Sequence, residues 1–168
     1  MVGISSIGDT TVVTDKWMLG TRNSFIIGIA ATLLATSLGT VAALGLSRPH
    51  MPFKGTIMAI LISPMIVPLI ITAAGMFFFY SKVGLTHSYL GLILAHTALG
   101  TPFVVITVTA TLTGFDTNLI RASQSLGADT MRTFFKVIMP LILPGVISGA
   151  LFAFILSLIH ISEPTRPY

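Results

Sequence analysis

Four long apolar stretches, nearly free of charge, constrain this chain more than any other feature. They run from about Ser24 to Leu46, from Ile57 to Tyr80, from Tyr89 to Thr113, and from near Val137 to about Ile155. A run of ~20 apolar residues is enough helix to cross a hydrocarbon core. In lipid, only helices or closed barrels satisfy every backbone polar group. The chain is 54% hydrophobic and only 8% charged, against about 25% charged residues in an ordinary soluble domain. The expected fold is therefore all-α: a polytopic membrane helix bundle of about four transmembrane helices, with the lipid bilayer as its solvent. The net charge of +4 comes from nine Lys and Arg spread thinly along the sequence. No basic cluster is interleaved with aromatic residues, so no nucleic acid is expected as a partner. With no Cys, disulfides and thiolate metal sites are excluded. No metal site and no cofactor is expected.

The first 23 residues are mixed and polar, with Asp9, Asp15, Lys16 and the lone Trp17. They lack the basic start of a signal peptide. They are expected to form an extracytoplasmic segment, with Trp17 anchored at the membrane interface. In the first span Gly28, Ala31, Ala35, Gly39 and Ala43 recur every three or four positions. Small residues at that spacing let helices approach closely, which predicts a packing face. The second span carries Pro64 and Pro68. Each proline removes a backbone hydrogen bond and bends a helix. A doubly broken span is a candidate lining for a transport pathway. The third span holds His96 and Pro102. An ionisable group inside a membrane marks a functional site by default, so His96 is the third candidate lining residue. In the last span Gly145-x-x-x-Gly149 is a helix-packing motif.

One polar interruption, Asp116 to Pro140, separates the third and fourth spans. It is longer than a simple turn needs, and it is patterned. Leu119, Ala122, Ser123 and Leu126 fall at helical spacing; Met131, Phe134, Phe135 and Ile138 repeat at i, i+3, i+4, i+7. Asp116 or Asn118 can cap the first helix, and Asp129 or Thr130 the second. Gly127 supplies the left-handed position between them. The pattern predicts a helix–Gly–helix elbow whose first helix has an open face of small residues.

These residues also carry a family resemblance. The run Arg121-Ala122-Ser123-x-x-Leu126-Gly127-Ala128, continuing through Pro140 to Pro144-Gly145, resembles the coupling loop of binding-protein-dependent ABC importer permeases. The fuller pattern, from Asn23-Ser24-Phe25 through Phe53-Lys54-Gly55 and Ala95-His96 to Gly149-Ala-Leu-Phe-Ala-Phe154, is similar to the spermidine/putrescine-type members. The family's usual Glu is Arg121 here, and its second Ala is Ser123. The resemblance implies an inner-membrane permease subunit, multi-pass in a bacterial cytoplasmic membrane and not itself an enzyme. It implies as partners a cytosolic ATPase dimer, a second permease subunit and an extracytoplasmic solute-binding protein. It implies that Arg121, Ala122, Ser123, Leu126, Gly127, Ala128 and Pro140 form the ATPase-coupling set, and that the cargo is a small solute of polyamine type.

Charge sets the orientation. With the elbow in the cytoplasm, Arg48, Lys54, Arg121, Arg132 and Lys136 lie inside, and Lys16, Arg22 and Lys82 outside, as the positive-inside rule requires. The permease domain is expected over residues 24–155, with its coupling loop at 116–140. Beyond Ile155 the sequence changes character. The run from Leu156 to Arg166 resembles a translated sequencing adapter, so residues 156–168 are expected to be a non-native tail. Two other functions are open to such a bundle: a secondary transporter and a non-transporting membrane scaffold. Ion-coupled carriers place acids within the membrane. Past the N-terminal segment, the acids Asp116 and Asp129 lie in the elbow.

Overall fold

The computed structural model describes residues 10–161 apart from Pro49, His87, Phe115 and Thr117; the side chains of residues 10–17, Leu19, His160 and Ile161 are also not described. The anchoring role expected of Trp17, and residues 162–168 of the expected tail, lie outside the described residues.

Helix α1 spans Thr10–Leu46. It begins well before the apolar stretch, so residues 10–23 extend the first span as helix. Helices α2 (Lys54–Ile66) and α3 (Leu69–Val83) form the second apolar stretch, and α4 (Tyr89–Thr113) the third. The elbow contains α5 (Asn118–Ser125) and the single turn α6 (Thr130–Thr133). A π-helical turn, Phe134–Ile138, then leads directly into α7 (Met139–Ile161). Residues 156–161 continue that helix.

The core is a three-helix seam of α1, α4 and α7, centred on Ala35, Ala43, Val104, Val108, Ile142 and Ala153. All five small residues of the α1 stripe are buried. Gly39 lies against Val104 and Thr101, and Gly100 against Ala35 and Ala153. The Thr97 hydroxyl, which donates to the Ile93 carbonyl at 2.7 Å, lies 3.4 Å from the Ala31 carbonyl oxygen. Positions 31, 35 and 39 thus ascend alongside 97, 100 and 104, so α1 and α4 run parallel. Helix α7 runs the other way: Gly145 meets Thr107 and Thr111, and Gly149 meets Val104. The Gly145-x-x-x-Gly149 motif is therefore the α4–α7 contact.

The parallel run settles the topology of the second stretch. After α1 has crossed, the chain must return to the starting side before α4 can cross in the same direction. The pair α2–α3 is that return, and of the two breaks expected at Pro64 and Pro68 it carries one. The two axes meet at 100°. The break falls at Val67, extended at φ −71°, ψ 133°. A residue before proline is pushed out of the helical region, and Pro68 caps α3. Pro64, by contrast, is absorbed within α2. It cannot donate to the Ile60 carbonyl, and the Ser63 hydroxyl donates there instead at 2.7 Å, a substitution open to Ser in an apolar medium. Helices Gly20–Leu46, Tyr89–Thr113 and Thr130–Ile159 are each long and apolar enough to cross a membrane. With the broken pair counted as one span, they make up to four.

Candidate functional site

The elbow is built by local rules. Asp116 accepts from the Asn118 backbone N–H at 2.9 Å, which orders the entry to α5. At the other end of α5, the Gly127 N–H donates to the Gln124 carbonyl at 2.9 Å and the Ala128 N–H to the Ser123 carbonyl at 3.1 Å. This pair of bonds is the Schellman motif. It needs a left-handed residue, and Gly127 has φ +82°. Asp129 then caps α6, accepting from the Arg132 N–H at 2.8 Å. Gly127 and the Asp129 cap are as the sequence predicts.

One contact was not legible in the sequence. The Ser123 and Thr133 hydroxyls lie 2.9 Å apart. Ser123 donates its one proton to the Ile120 carbonyl at 2.8 Å, so Thr133 is the donor across the elbow. Thr133 is 3% exposed. The hydroxyl pair clasps α5 to the helix that becomes the last span.

The second half of the elbow differs from expectation. Met131, Phe134, Phe135 and Ile138 do not share one face. Met131 and Phe135 are exposed, while Phe134 and Ile138 are half-buried and Thr133 is buried. The cause is the π turn, in which the Met139 N–H bonds to the Phe134 carbonyl. One extra residue in a turn rotates everything before it. The turn stands just before Pro140, whose ring would clash with the carbonyl four residues back in a regular helix. Thr130 to Ile159 is one continuous membrane-length helical unit. The helix that carries the last span therefore begins at Thr130, ahead of Val137.

The coupling set divides accordingly. Arg121, Ala122, Leu126 and Gly127 are exposed around the elbow tip, with Leu126 at 88%. Ser123 and Ala128 are half-buried beneath it. Pro140 stands apart, exposed on α7, about three helical turns beyond Thr130.

Of the three candidate lining residues, His96 lies at a cavity. A groove of 610 Å³ lies between α3 and α4, with Ile27 of α1 at its base; Thr72, Met76, Tyr80, Tyr89 and His96 are among its walls. It sits at the end opposite the elbow, where α3 finishes and α4 begins. His96 is half-buried there. Pro64 and Pro68 do not line it. No carboxylate is among its walls.

Among the described residues, no three His, Asp or Glu side chains converge. What the geometry joins is an exposed tip, a clasp and a helix that continues through the core seam.

Comparison with known proteins points the same way. Residues 35–164 match the family described as binding-protein-dependent transport system inner membrane component. The spermidine/putrescine transport system permease protein PotC of Haemophilus influenzae is 34% identical over 136 residues, which cover 81% of this chain and 53% of that protein. Its Escherichia coli K12 counterpart is 28% identical, covering 86% and 54%. A Haloferax volcanii protein named "Probable molybdenum ABC transporter permease protein" is 28% identical, covering 86% and 57%. The chain spans about half the length of the curated relatives it matches.

Proposed function

Because this chain belongs to the binding-protein-dependent transport system inner membrane components, we propose that it acts as a permease subunit of an ATP-driven importer, coupled to its ATPase through the elbow. The observation that carries this reading is the continuity of the elbow with the core. Leu126 and Ala122 are presented to solvent on α5. The Ser123–Thr133 clasp fixes α5 to α6. The helical unit starting at Thr130 then passes through the seam against α4 and α1. A cytosolic ATPase that gripped the tip and moved would drag the last span with it. The broken α2–α3 pair is the element least tied to that seam, and its cavity with α4 would open and close as the seam shifts.

In this reading ATP is hydrolysed by a separate ATPase dimer, and this subunit is not an enzyme. A second permease completes the pathway, and an extracytoplasmic binding protein delivers the solute. The cargo is a small solute, with polyamines first because two of the three relatives described carry spermidine and putrescine in their names. His96 lines the outer part of the route. Arg121 brings a positive charge to the ATPase contact.

The test is Gly127→Asp, with the chain expressed beside its ATPase, second permease and binding protein. At φ +82° a side chain is strained, Asp less than most, and the new carboxylate would put a negative charge on the exposed tip. Uptake of labelled putrescine should be lost while membrane insertion persists. Uptake at the parent rate would remove the elbow from the mechanism.

A further inference from the structure

The elbow end of the bundle carries a pattern the transport reading does not use. Here α1 ends, α2 begins, α4 ends and the last span begins. Besides Leu126 at the tip, three large apolar side chains stand out from it: Phe53 at 81% exposure, Met131 at 67% and Phe135 at 60%. Each is followed immediately by a cation: Lys54, Arg132 and Lys136. A fourth cation, Arg48, shares the loop of Phe53. The two acids of this end are both engaged by backbone, Asp116 at the Asn118 N–H and Asp129 at the Arg132 N–H. Among the described residues, no ion pair involves any of the four cations.

Phe53 is the most telling of the three. Among the described residues it is the one non-glycine residue at positive φ, at +53°. It heads α2 without a side-chain capping bond. A left-handed bulky residue is uncommon and costs free energy. Here the backbone accepts that conformation with a phenyl ring directed out of the protein, at the level where one span has ended and the next starts. Water is a poor environment for such a ring. The boundary of a bilayer suits it, with the ring among acyl chains and the adjacent cation at headgroup level.

We propose that this end of the bundle binds anionic phospholipid headgroups, through the couples Phe53–Lys54, Met131–Arg132 and Phe135–Lys136, with Arg48 beside the first. The cations meet the phosphates and the apolar partners enter the acyl region. The elbow tip around Leu126 remains free for a protein. The site rests on no assumption about transport.

The chain holds a single tryptophan, Trp17, so a reporter is easily placed. Phe53→Trp and Phe135→Trp, each in a Trp17→Phe background, are reconstituted in bilayers of phosphatidylcholine containing a minor fraction of phosphatidylglycerol. Either lipid is brominated in turn, at equal mole fraction, to quench nearby tryptophan. The expected result is stronger quenching by brominated phosphatidylglycerol at both positions. Replacing the neighbouring cation by Gln (Lys54→Gln or Lys136→Gln) should lower that preference about fivefold, the weight of one cation at an anionic surface. An excess of inorganic phosphate should leave the preference in place; its loss would make the site a general phosphate site and overturn the lipid assignment. Equal quenching by the two lipids at either position overturns the proposal. So does an unquenched, water-exposed tryptophan, which would assign that ring to a protein partner.

Discussion

Gly39→Ala puts the core seam to a direct test. A methyl group on Gly39 would stand 2.7 Å from Val104 Cβ, 2.8 Å from Val104 Cγ1 and 3.2 Å from the Thr101 carbonyl oxygen. Ordinary carbon contacts begin near 3.5 Å, about 1 Å further apart. Val104 is fully buried, and its branched side chain is stiff at χ1, so it cannot turn aside. The carbonyl belongs to the backbone of α4. Helix α1 must therefore back away along the seam, loosening Ala35 and Ala43 as well. Overpacking of this kind costs about 1–3 kcal/mol. The higher helix propensity of Ala gives little back, since separated helices in a bilayer are already helical to satisfy their backbone. Gly45→Ala is the control, because nothing lies within 4 Å of a methyl group there. Unfolding in mixed micelles, followed by circular dichroism, should show Gly39→Ala less stable than the parent by that amount and Gly45→Ala unchanged. Equal stability of the two variants would refute the parallel α1–α4 contact and the topology drawn from it.

Two further substitutions probe single hydrogen bonds. Ser123→Ala and Thr133→Val each break the elbow clasp; each should cost about 1 kcal/mol, and the double variant little more than either alone. The measurement is a double-mutant cycle read by hydrogen exchange in α5, and simple additivity would mean that the two hydroxyls do not interact. Ser63→Ala leaves the Ile60 carbonyl, freed by Pro64, without its donor. It should destabilise α2 by about 1–2 kcal/mol, seen as faster exchange around the Val67 break, whereas Ser37→Ala on the exposed side of α1 should change nothing.

Much of this fold is written in local chemistry. The stripe from Gly28 to Ala43 is buried throughout because small residues at helical spacing have one use in lipid. Residues 89–113 are helical end to end, with the Ser88 hydroxyl accepting from the Gly91 N–H at its start. Gly127 and Asp129 turn the elbow as their types require. The expectations that changed depended on what lies across space. Pro64 and Pro68 look alike in sequence, yet Ser63 compensates the first while Val67, extended before the second, ends the helix. Val67-Pro68 was readable as a break, but the 100° angle between α2 and α3 was not. The π turn and the buried Thr133 follow from Pro140 and from Ser123, ten residues away from Thr133 on another helix. Apolar periodicity weighed the two phenylalanines and passed over the threonine between them and the turn. The start of α1 was missed because Asp15, Lys16 and Arg22 interrupt the apolar pattern of residues 10–23.

The central claim is that the elbow tip meets an ATPase. The chain has no cysteine, so one thiol can be placed at will. Leu126→Cys, carrying a thiol-linked photo-crosslinker, is compared with Lys82→Cys at the far end of α3, in membranes that also contain the ATPase, second permease and binding protein. The account predicts that Leu126→Cys captures the ATPase subunit and Lys82→Cys does not. Capture of the ATPase equally from both positions, or from neither, would contradict it.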